Sequence, residues 1–241
     1  MPHLGPAKQV TCGSTIKLAH DSSKYRLHSQ GIPYSRGSRQ QSVTAFPLEH
    51  ADSSSYWVVH GTKDKPCRPG FPVNKRQQLR LQHVASRKWL HSHTYQSPLS
   101  GNQEVSAFGA DDRSDGGDVW TVEWDSKASH WKQDVKVRLR HEDTQTYLHS
   151  YKQASFGHPI AGQNEVCAVK KQGRESEWFA AEGIYLPRND VARAKAASTA
   201  GGSKGDGGGA GAAASDKKPK ESGKKSKKSK KQGGRGRADE L

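Results

Sequence analysis

The chain has 241 residues, a formal net charge of +15 and a hydrophobic content of 31%. No run of apolar residues is long enough to cross a lipid bilayer, so the sequence predicts no membrane-spanning helix. It also carries no glycine-rich phosphate loop, no nucleophile motif and no cysteine cluster at metal-ligand spacing. We therefore expect no catalytic residues, no metal site and no cofactor.

One short pattern occurs three times along the chain. A Leu-His-Ser triplet is preceded by another histidine, eight residues before its own, and followed 29 residues later by a tryptophan. The copies are offset by 63 and then 58 residues. The repeat-defining residues are His20, His28 and Trp57, then His83, His91 and Trp120, then His141, His149 and Trp178. A near-constant period of this kind predicts three copies of one structural unit.

Each copy predicts four short strands. In the first copy they are an alternating run at 16–20, the surroundings of the triplet, a run at 42–46 and a run with the tryptophan at 56–59. The matching first, third and fourth runs of the later copies are 79–83, 104–108 and 119–122, then 137–141, 165–169 and 178–181. Such units cannot bury their apolar faces alone and must close on one another. The prediction is all-β: a β-trefoil over residues 10–186, with about twelve strands and repeats at roughly 10–65, 74–128 and 132–186.

The 12 histidines of the chain raise the question of a metal site, because imidazole is a common metal ligand. Six of them occupy equivalent places in the three copies, whereas a metal needs one converging cluster. We expect these six to be structural, each hydrogen-bonded to a neighbouring backbone carbonyl.

Residues 187–241 have a different composition, with 15 lysines and arginines against 6 acidic residues. Low hydrophobicity and many like charges predict a disordered, basic, Gly/Ala/Lys-rich tail. Its lysine-rich stretch, 217–231, is typical of a nuclear localisation signal or a nucleic-acid patch, and equally of a solvated tail.

The repeats resemble the MIR domain, and their order and spacing are similar to those of the stromal cell-derived factor 2 family, whose members are little more than three MIR motifs. The resemblance rests on segments 11–14, 26–29, 37–44, 90–93, 97–108, 162–163 and 182–184. It implies a β-trefoil in the lumen of the endoplasmic reticulum. It also implies association with a lumenal J-domain co-chaperone and a heat-shock-70-class chaperone in protein folding and quality control, with unfolded proteins as clients.

The final tetrapeptide, Ala238, Asp239, Glu240 and Leu241, departs from the usual lumenal retrieval signal only at its first position. Residues 1–10 contain no basic segment followed by an apolar run, so no secretory signal peptide is visible. We expect a missing signal segment and a protein of the endoplasmic reticulum lumen.

Three cysteines fit such an oxidising compartment, with one disulfide and one remaining thiol. Cys12 enters the first repeat and Cys67 lies on the linker that leaves it, so we predict that these two are bonded; the alternative is two free thiols. Cys167 falls within a third-strand run and is expected to be a small packed residue.

The main hypothesis is a non-enzymatic subunit of a chaperone complex. MIR motifs also occur in protein O-mannosyltransferases, but those enzymes span the membrane several times. The alternative is a glycan-binding module in which Trp89 and Tyr147 stack on sugar faces, with Arg26 in the matching place of the first repeat. Packing of these aromatic residues within the sheet is the favoured interpretation. A basic nuclear or RNA-associated protein is the least favoured, so nucleic acid is not expected as a partner.

Overall fold

The structure is a computed structural model in which residues 8–47 and 52–189 are described. Each repeat contributes four strands. They are β1 Thr15–His20, β2 Arg26–Pro33, β3 Gln41–Phe46 and β4 Tyr56–His60; β5 Gln78–His83, β6 Trp89–Gln96, β7 Gln103–Phe108 and β8 Trp120–Glu123; β9 Arg138–His141, β10 Tyr147–Ser155, β11 Asn164–Val169 and β12 Trp178–Ile184. Two short 3-10 helices, Gly116–Asp118 and Arg174–Ser176, precede β8 and β12. The predicted all-β class is confirmed, and every predicted run overlaps one strand.

The first and fourth strands of the repeats pair into a closed ring. Antiparallel pairs join β1 to β4, β4 to β5, β5 to β8, β8 to β9 and β12 to β1. An isolated β-bridge between Val137, the residue before β9, and Trp178, the first residue of β12, completes the ring. Closure pairs both sides of each strand, which removes the exposed edges of an open sheet.

The second and third strands form three hairpins with the same register. Leu27 lies opposite Ala45, Leu90 opposite Ala107 and Leu148 opposite Ala168. The third strands β3, β7 and β11 also pair with one another in all three combinations, so the hairpins form a three-sided cap.

The core follows from the alternating runs of the first strands. In β1 the side chains of Ile16 and Leu18 are fully buried, as are those of Leu79 and Leu81 in β5. Fully burying one such side chain contributes about 1.5–3 kcal/mol. The period-two pattern therefore points one face of each strand into a shared interior.

The described chain extends slightly past the predicted domain end. The backbone N–H of Asn189 donates to the carbonyl of Gly70 at 3.1 Å, and its side-chain amide donates to Pro69 at 2.7 Å. Of the predicted tail, 187–241, the part from 190 onward, including Ala238, Asp239, Glu240 and Leu241, lies outside the described residues. Within the described part of the chain, no helix has the length and apolar character needed to cross a membrane.

Candidate functional site

The predicted disulfide is present between Cys12 and Cys67, whose Cα atoms lie 6.0 Å apart. It joins the entry of the first repeat to the linker that leaves it. Cys167 is a buried free thiol in β11. Burial raises the pKa of this thiol to about 12, so it stays protonated at neutral pH and behaves as a packed residue.

The first histidine of each repeat fastens that repeat to the preceding one. In each case the Nε2–H group donates to a backbone carbonyl, as expected from the sequence, and that carbonyl belongs to the neighbouring repeat. The bonds run from His20 to Glu175 at 3.0 Å, from His83 to Ser54 at 2.8 Å and from His141 to Gly117 at 3.0 Å.

The other ring nitrogen of these histidines accepts a hydrogen bond from a hydroxyl three residues later. The donors are Ser23 at 2.9 Å, Ser86 at 2.8 Å and Thr144 at 2.8 Å. A neutral imidazole offers one donor and one acceptor, and both are used here. Burial lowers the pKa of His20, His83 and His141, which keeps the rings neutral.

For the second histidine of each repeat, the prediction of a backbone carbonyl partner is wrong. Nδ1 of His28 lies 2.8 Å from a carboxylate oxygen of Asp52, and Nδ1 of His91 lies 3.0 Å from one of Asp118. In the third repeat the partner is the hydroxyl of Ser176, 3.1 Å from Nδ1 of His149. Without a carboxylate at hydrogen-bonding distance, burial and the neighbouring His20 lower the pKa of His149 to about 4.

His91, Asp115 and Asp118 bring three potential metal-ligand atoms within 4.8 Å of one another. The two carboxylates already cap the short helix Gly116–Asp118, which Asp115 precedes and Asp118 ends. Asp115 accepts from the backbone N–H of Gly117 at 3.0 Å, and Asp118 accepts from that of Asp115 at 2.9 Å. This reciprocal capping accounts for the cluster as a structural element.

The spacing of the triplet and the tryptophan also has a structural cause. Trp57, Trp120 and Trp178 are fully buried. Each indole N–H donates to the carbonyl of the triplet leucine in its own repeat, at 2.9 Å to Leu27, 2.9 Å to Leu90 and 3.1 Å to Leu148. The fourth strand is thereby held to the second strand in every repeat.

Two buried carboxylates in the cap were missed because only loop acids were considered from the sequence. Glu165 in β11 accepts the backbone N–H groups of Leu99 at 2.7 Å and Ser100 at 3.1 Å. Glu104 in β7 accepts the N–H of Ser38 at 3.3 Å and also its hydroxyl. Each holds a hairpin loop of the preceding repeat. In the sequence, these two glutamates are marked by a Glu-Val pair at the same place in the third-strand runs 104–108 and 165–169.

A polar cavity of about 760 Å³ lies on the outer side of the ring, where strands of the second and third repeats meet. Its lining includes Arg76, Glu123, Arg140, Glu142 and Tyr147. An adjoining cavity of about 310 Å³ shares the first two of these residues and the tyrosine. Small-molecule sites typically have volumes of this order.

The two aromatic residues considered for sugar stacking have different environments. Trp89 is only 3% exposed, so its ring is not available to a ligand. Tyr147 is half-buried and lines both cavities. Burial, with Glu123 nearby, raises the pKa of the Tyr147 phenol, which is therefore neutral at physiological pH.

Comparison with known proteins gives consistent matches over the repeats. The MIR domain family matches residues 8–182. A stromal cell-derived factor 2-like protein of Arabidopsis thaliana is 46% identical over 185 residues, which cover 77% of this chain and 84% of that protein. The crystal structure of the SDF2-like protein from Arabidopsis thaliana is 48% identical, with a TM-score of 0.73, and is matched over 75% of this chain and 99% of that one.

A further likeness is to one domain of a larger assembly. The structure of the Saccharomyces cerevisiae protein O-mannosyltransferase Pmt1-Pmt2 complex bound to the sugar donor is 29% identical, with a TM-score of 0.67. The match covers 78% of this chain but only 28% of that chain, so it concerns the repeat domain alone.

Proposed function

The chain belongs to the stromal cell-derived factor 2 family of MIR-domain proteins, and from that premise we propose that it acts in protein folding and quality control in the endoplasmic reticulum lumen. Its role there is that of a non-enzymatic subunit of a complex with a lumenal J-domain co-chaperone and a heat-shock-70-class chaperone. Unfolded proteins are the clients of that complex.

The disulfide between Cys12 and Cys67 is the main structural support for a location in the endoplasmic reticulum lumen. Disulfides persist in oxidising compartments and are rare in the cytosol and nucleus. Together with the family, it supports a lumenal protein rather than a basic nuclear one.

The use of the buried polar groups supports a binding role over catalysis. The first histidines and the cap glutamates each join two repeats by hydrogen bonds, so their chemistry serves the fold. We assign that fold as a β-trefoil of three MIR repeats over 10–186, an assignment supported by the six-stranded ring and the three-sided cap of hairpins.

The proposal is tested with the purified full chain and purified lumenal J-domain and heat-shock-70-class proteins, by size-exclusion chromatography at physiological salt. We expect a ternary complex, and we expect a variant lacking 217–231 to enter it equally well. Absence of any complex would contradict the proposal. Binding to RNA that weakens steeply with salt and is lost with 217–231 would replace it with the basic-protein hypothesis.

The compartment is tested separately in cells, with a signal peptide supplied. Removing Ala238, Asp239, Glu240 and Leu241 is expected to release the protein into the medium, since retrieval receptors read this terminal peptide. Deleting 217–231 with the tetrapeptide kept serves as the control and is expected to leave the protein in the cell. Equal retention of all three proteins would refute the retrieval role.

A further inference from the structure

A groove of about 470 Å³ lies on the cap, where the second and third hairpins meet. Gln103, the first residue of β7, lies at its centre, because it pairs with Gln96 of β6 on one side and with Ala168 of β11 on the other. The groove shares no lining residue with the two cavities beside Tyr147. It is therefore a separate feature of the surface.

The residue that ends the third strand differs between the hairpins. In the first two it is Phe46 and Phe108, whose ring centres lie 4.6 Å from that of His28 and 4.9 Å from that of His91. In the third hairpin the smaller Val169 takes this place and lines the groove. The groove thus lies beside the hairpin whose third strand ends without an aromatic ring.

Tyr95 of β6 also lines the groove and is 57% exposed. An edge-to-face contact with His93, at 5.0 Å between ring centres, orients its ring. Tyr95 supplies the apolar part of the groove together with Ala168 and Val169. Tyrosine is one of the residue types that most often dominate the binding energy of protein interfaces. A large exposed ring beside small apolar side chains is suited to an apolar side chain of a partner.

The polar part of the groove combines a fixed amide with an available one. The side-chain amide of Gln103 donates to the hydroxyls of Ser92 at 2.7 Å and Thr144 at 2.8 Å, so it is already ordered. The exposed side chain of Gln96 makes no hydrogen bond with any residue that the structure describes. A side-chain amide carries the same kinds of donor and acceptor as a peptide group, so Gln96 can pair with the main chain of an extended segment.

The groove ends at a group of cations that follow β11. Lys170 lines it, Lys171 and Arg174 come next in the chain, and all three are exposed. None of them forms an ion pair with any residue in the described part of the chain. The nearby carboxylates of Glu104 and Glu165 are buried and already accept backbone N–H groups. The positive charge at this end is therefore available to carboxylates of a partner.

The matching loop of the second repeat has the opposite charge. Loop 109–115 contains three aspartates and one arginine, whereas loop 170–173 contains two lysines and no acidic residue. A segment rich in carboxylates would be attracted to the third hairpin and repelled by the second. Such a difference gives specificity as well as affinity.

We propose that this groove binds an extended segment of a partner protein in which apolar residues stand next to a run of acidic residues. An apolar side chain packs between Tyr95 and Val169, the main chain pairs with the amide of Gln96, and the carboxylates meet Lys170 and Lys171. The interaction goes beyond the function proposed above and holds whether or not the chain joins a chaperone complex.

The test is an NMR titration of the isotope-labelled full chain with two synthetic peptides, at concentrations up to about 1 mM. One peptide has leucine and valine followed by a run of aspartates, and its matched control has lysines in place of the aspartates. We expect the aspartate peptide to shift the backbone signals of Tyr95, Gln103 and Val169, and the lysine peptide to leave them in place. Added salt should weaken the binding, because it screens exposed charges.

Tyr95→Ala is expected to weaken binding of the aspartate peptide about tenfold. Tyr95→Phe keeps the ring and should retain most of the binding. Val84→Ala is the matched control, because Val84 is an apolar residue with 38% exposure that does not line the groove. Its binding should equal that of the wild type.

The charges are tested by Lys170→Glu combined with Lys171→Glu. This double variant should reverse the preference, so that the lysine peptide binds and the aspartate peptide does not. The control is Lys127→Glu combined with Lys132→Glu, which makes the same change of charge at two exposed lysines that do not line the groove. It should keep the preference of the wild type.

The proposal is overturned by no shift with the aspartate peptide, by equal binding of both peptides, or by unchanged binding in Tyr95→Ala. Spectra without peptide test two other occupants. Groove signals that change with protein concentration would assign the groove to a second copy of the chain. Groove signals that differ between the full chain and a chain ended after Asn189 would assign it to 190–241. Either result would also overturn the proposal.

Discussion

The imidazole of His20 and the backbone carbonyl of Glu175 are hydrogen-bonded at 3.0 Å, although 155 residues separate them in the chain. This bond ties the first repeat to the third, just as His83 ties the second to the first and His141 ties the third to the second. The three bonds form a closed cycle. Loss of one histidine therefore affects the contact between two repeats and not only its own strand.

We predict that the melting temperature falls between about pH 6.5 and about pH 4. His20, His83, His141 and His149 have lowered pKa values in the folded protein because burial disfavours their charged form. The unfolded chain binds protons near pH 6.5, so the stability that these histidines contribute is complete above that pH. It is lost as the pH falls toward their folded pKa values, at up to about 1.4 kcal/mol per pH unit for each group.

The measurement is a series of thermal melts followed by circular dichroism across this pH range. His149→Gln serves as the matched variant, because its pKa is lowered to about 4 in the folded protein. Its melting temperature should depend less on pH than that of the wild type. A wild-type melting temperature that is the same at both ends of the range would contradict the prediction.

Replacing any of the three repeated tryptophans by alanine is expected to cost about 3–5 kcal/mol of unfolding free energy. Trp57, Trp120 and Trp178 are fully buried, and each substitution also leaves a triplet carbonyl without its indole donor. Urea denaturation gives the comparison. Tyr95→Ala is the control, since Tyr95 is 57% exposed and its loss should change stability little.

Replacing both Cys12 and Cys67 by serine is expected to lower the free energy of unfolding by about 2–4 kcal/mol. The disulfide closes a loop between residues 55 positions apart and restricts the unfolded chain. Reductant should destabilise the wild type and the Cys167→Ala variant to a similar extent, and the double serine variant hardly at all. If reductant destabilised the double serine variant as much as the wild type, the loss of stability would not come from the Cys12–Cys67 bond.

Glu165→Gln is expected to destabilise the protein by about 1–3 kcal/mol. The carboxylate of Glu165 accepts the backbone N–H of Leu99 on one oxygen and that of Ser100 on the other, whereas an amide keeps one acceptor oxygen and turns an NH2 donor toward the second N–H. Chemical denaturation measures the effect, with Asp112→Asn in an exposed loop as the control. Similar stabilities for both variants would show that the buried carboxylate does not hold the loop.

A chain ended after Asn189 is expected to melt at nearly the same temperature as the full chain, because the composition of 190–241 opposes folding. Ending it after Leu186 removes the two hydrogen bonds of Asn189 to Pro69 and Gly70. This shorter chain should lose about 1 kcal/mol. Calorimetry on the three proteins checks the order; a lower melting temperature for the first truncation would show that the tail adds stability.

The strands could be predicted well because the histidine and tryptophan of each repeat mark bonds that every repeat needs. The predicted carbonyl partners of His20, His83 and His141 follow the same logic, since each neighbouring carbonyl occupies an equivalent place. A residue that recurs at the same place in all three repeats makes the same hydrogen bond in each of them, as these histidines and the three tryptophans show.

The remaining features depend on where the repeats differ. Asp52 reaches the second histidine of its repeat from the loop before β4, and Asp118 does so from the short helix before β8. Ser176 takes that place in the third repeat. Tyr147 and Gln172 line a cavity at the four-residue loop 170–173, whereas the matching loop of the second repeat, 109–115, has seven residues. The different loop lengths can be counted from the sequence, but the direction in which a side chain turns is set by three-dimensional packing, which a one-dimensional pattern does not specify.

The pairing of β1 with β12 has a consequence for chain connectivity. Thr15 lies opposite Ile184, and the hydroxyl of Thr11 donates to the carbonyl of Leu186 at 2.9 Å, so the two ends of the repeat domain are neighbours. A short linker could join them, and the chain could be opened at the exposed segment 125–127 between the second and third repeats. Such a circular permutant would keep the ring, the cap and the Cys12–Cys67 bond. In this architecture the order of the repeats along the chain can therefore change while each repeat keeps the same neighbours in space.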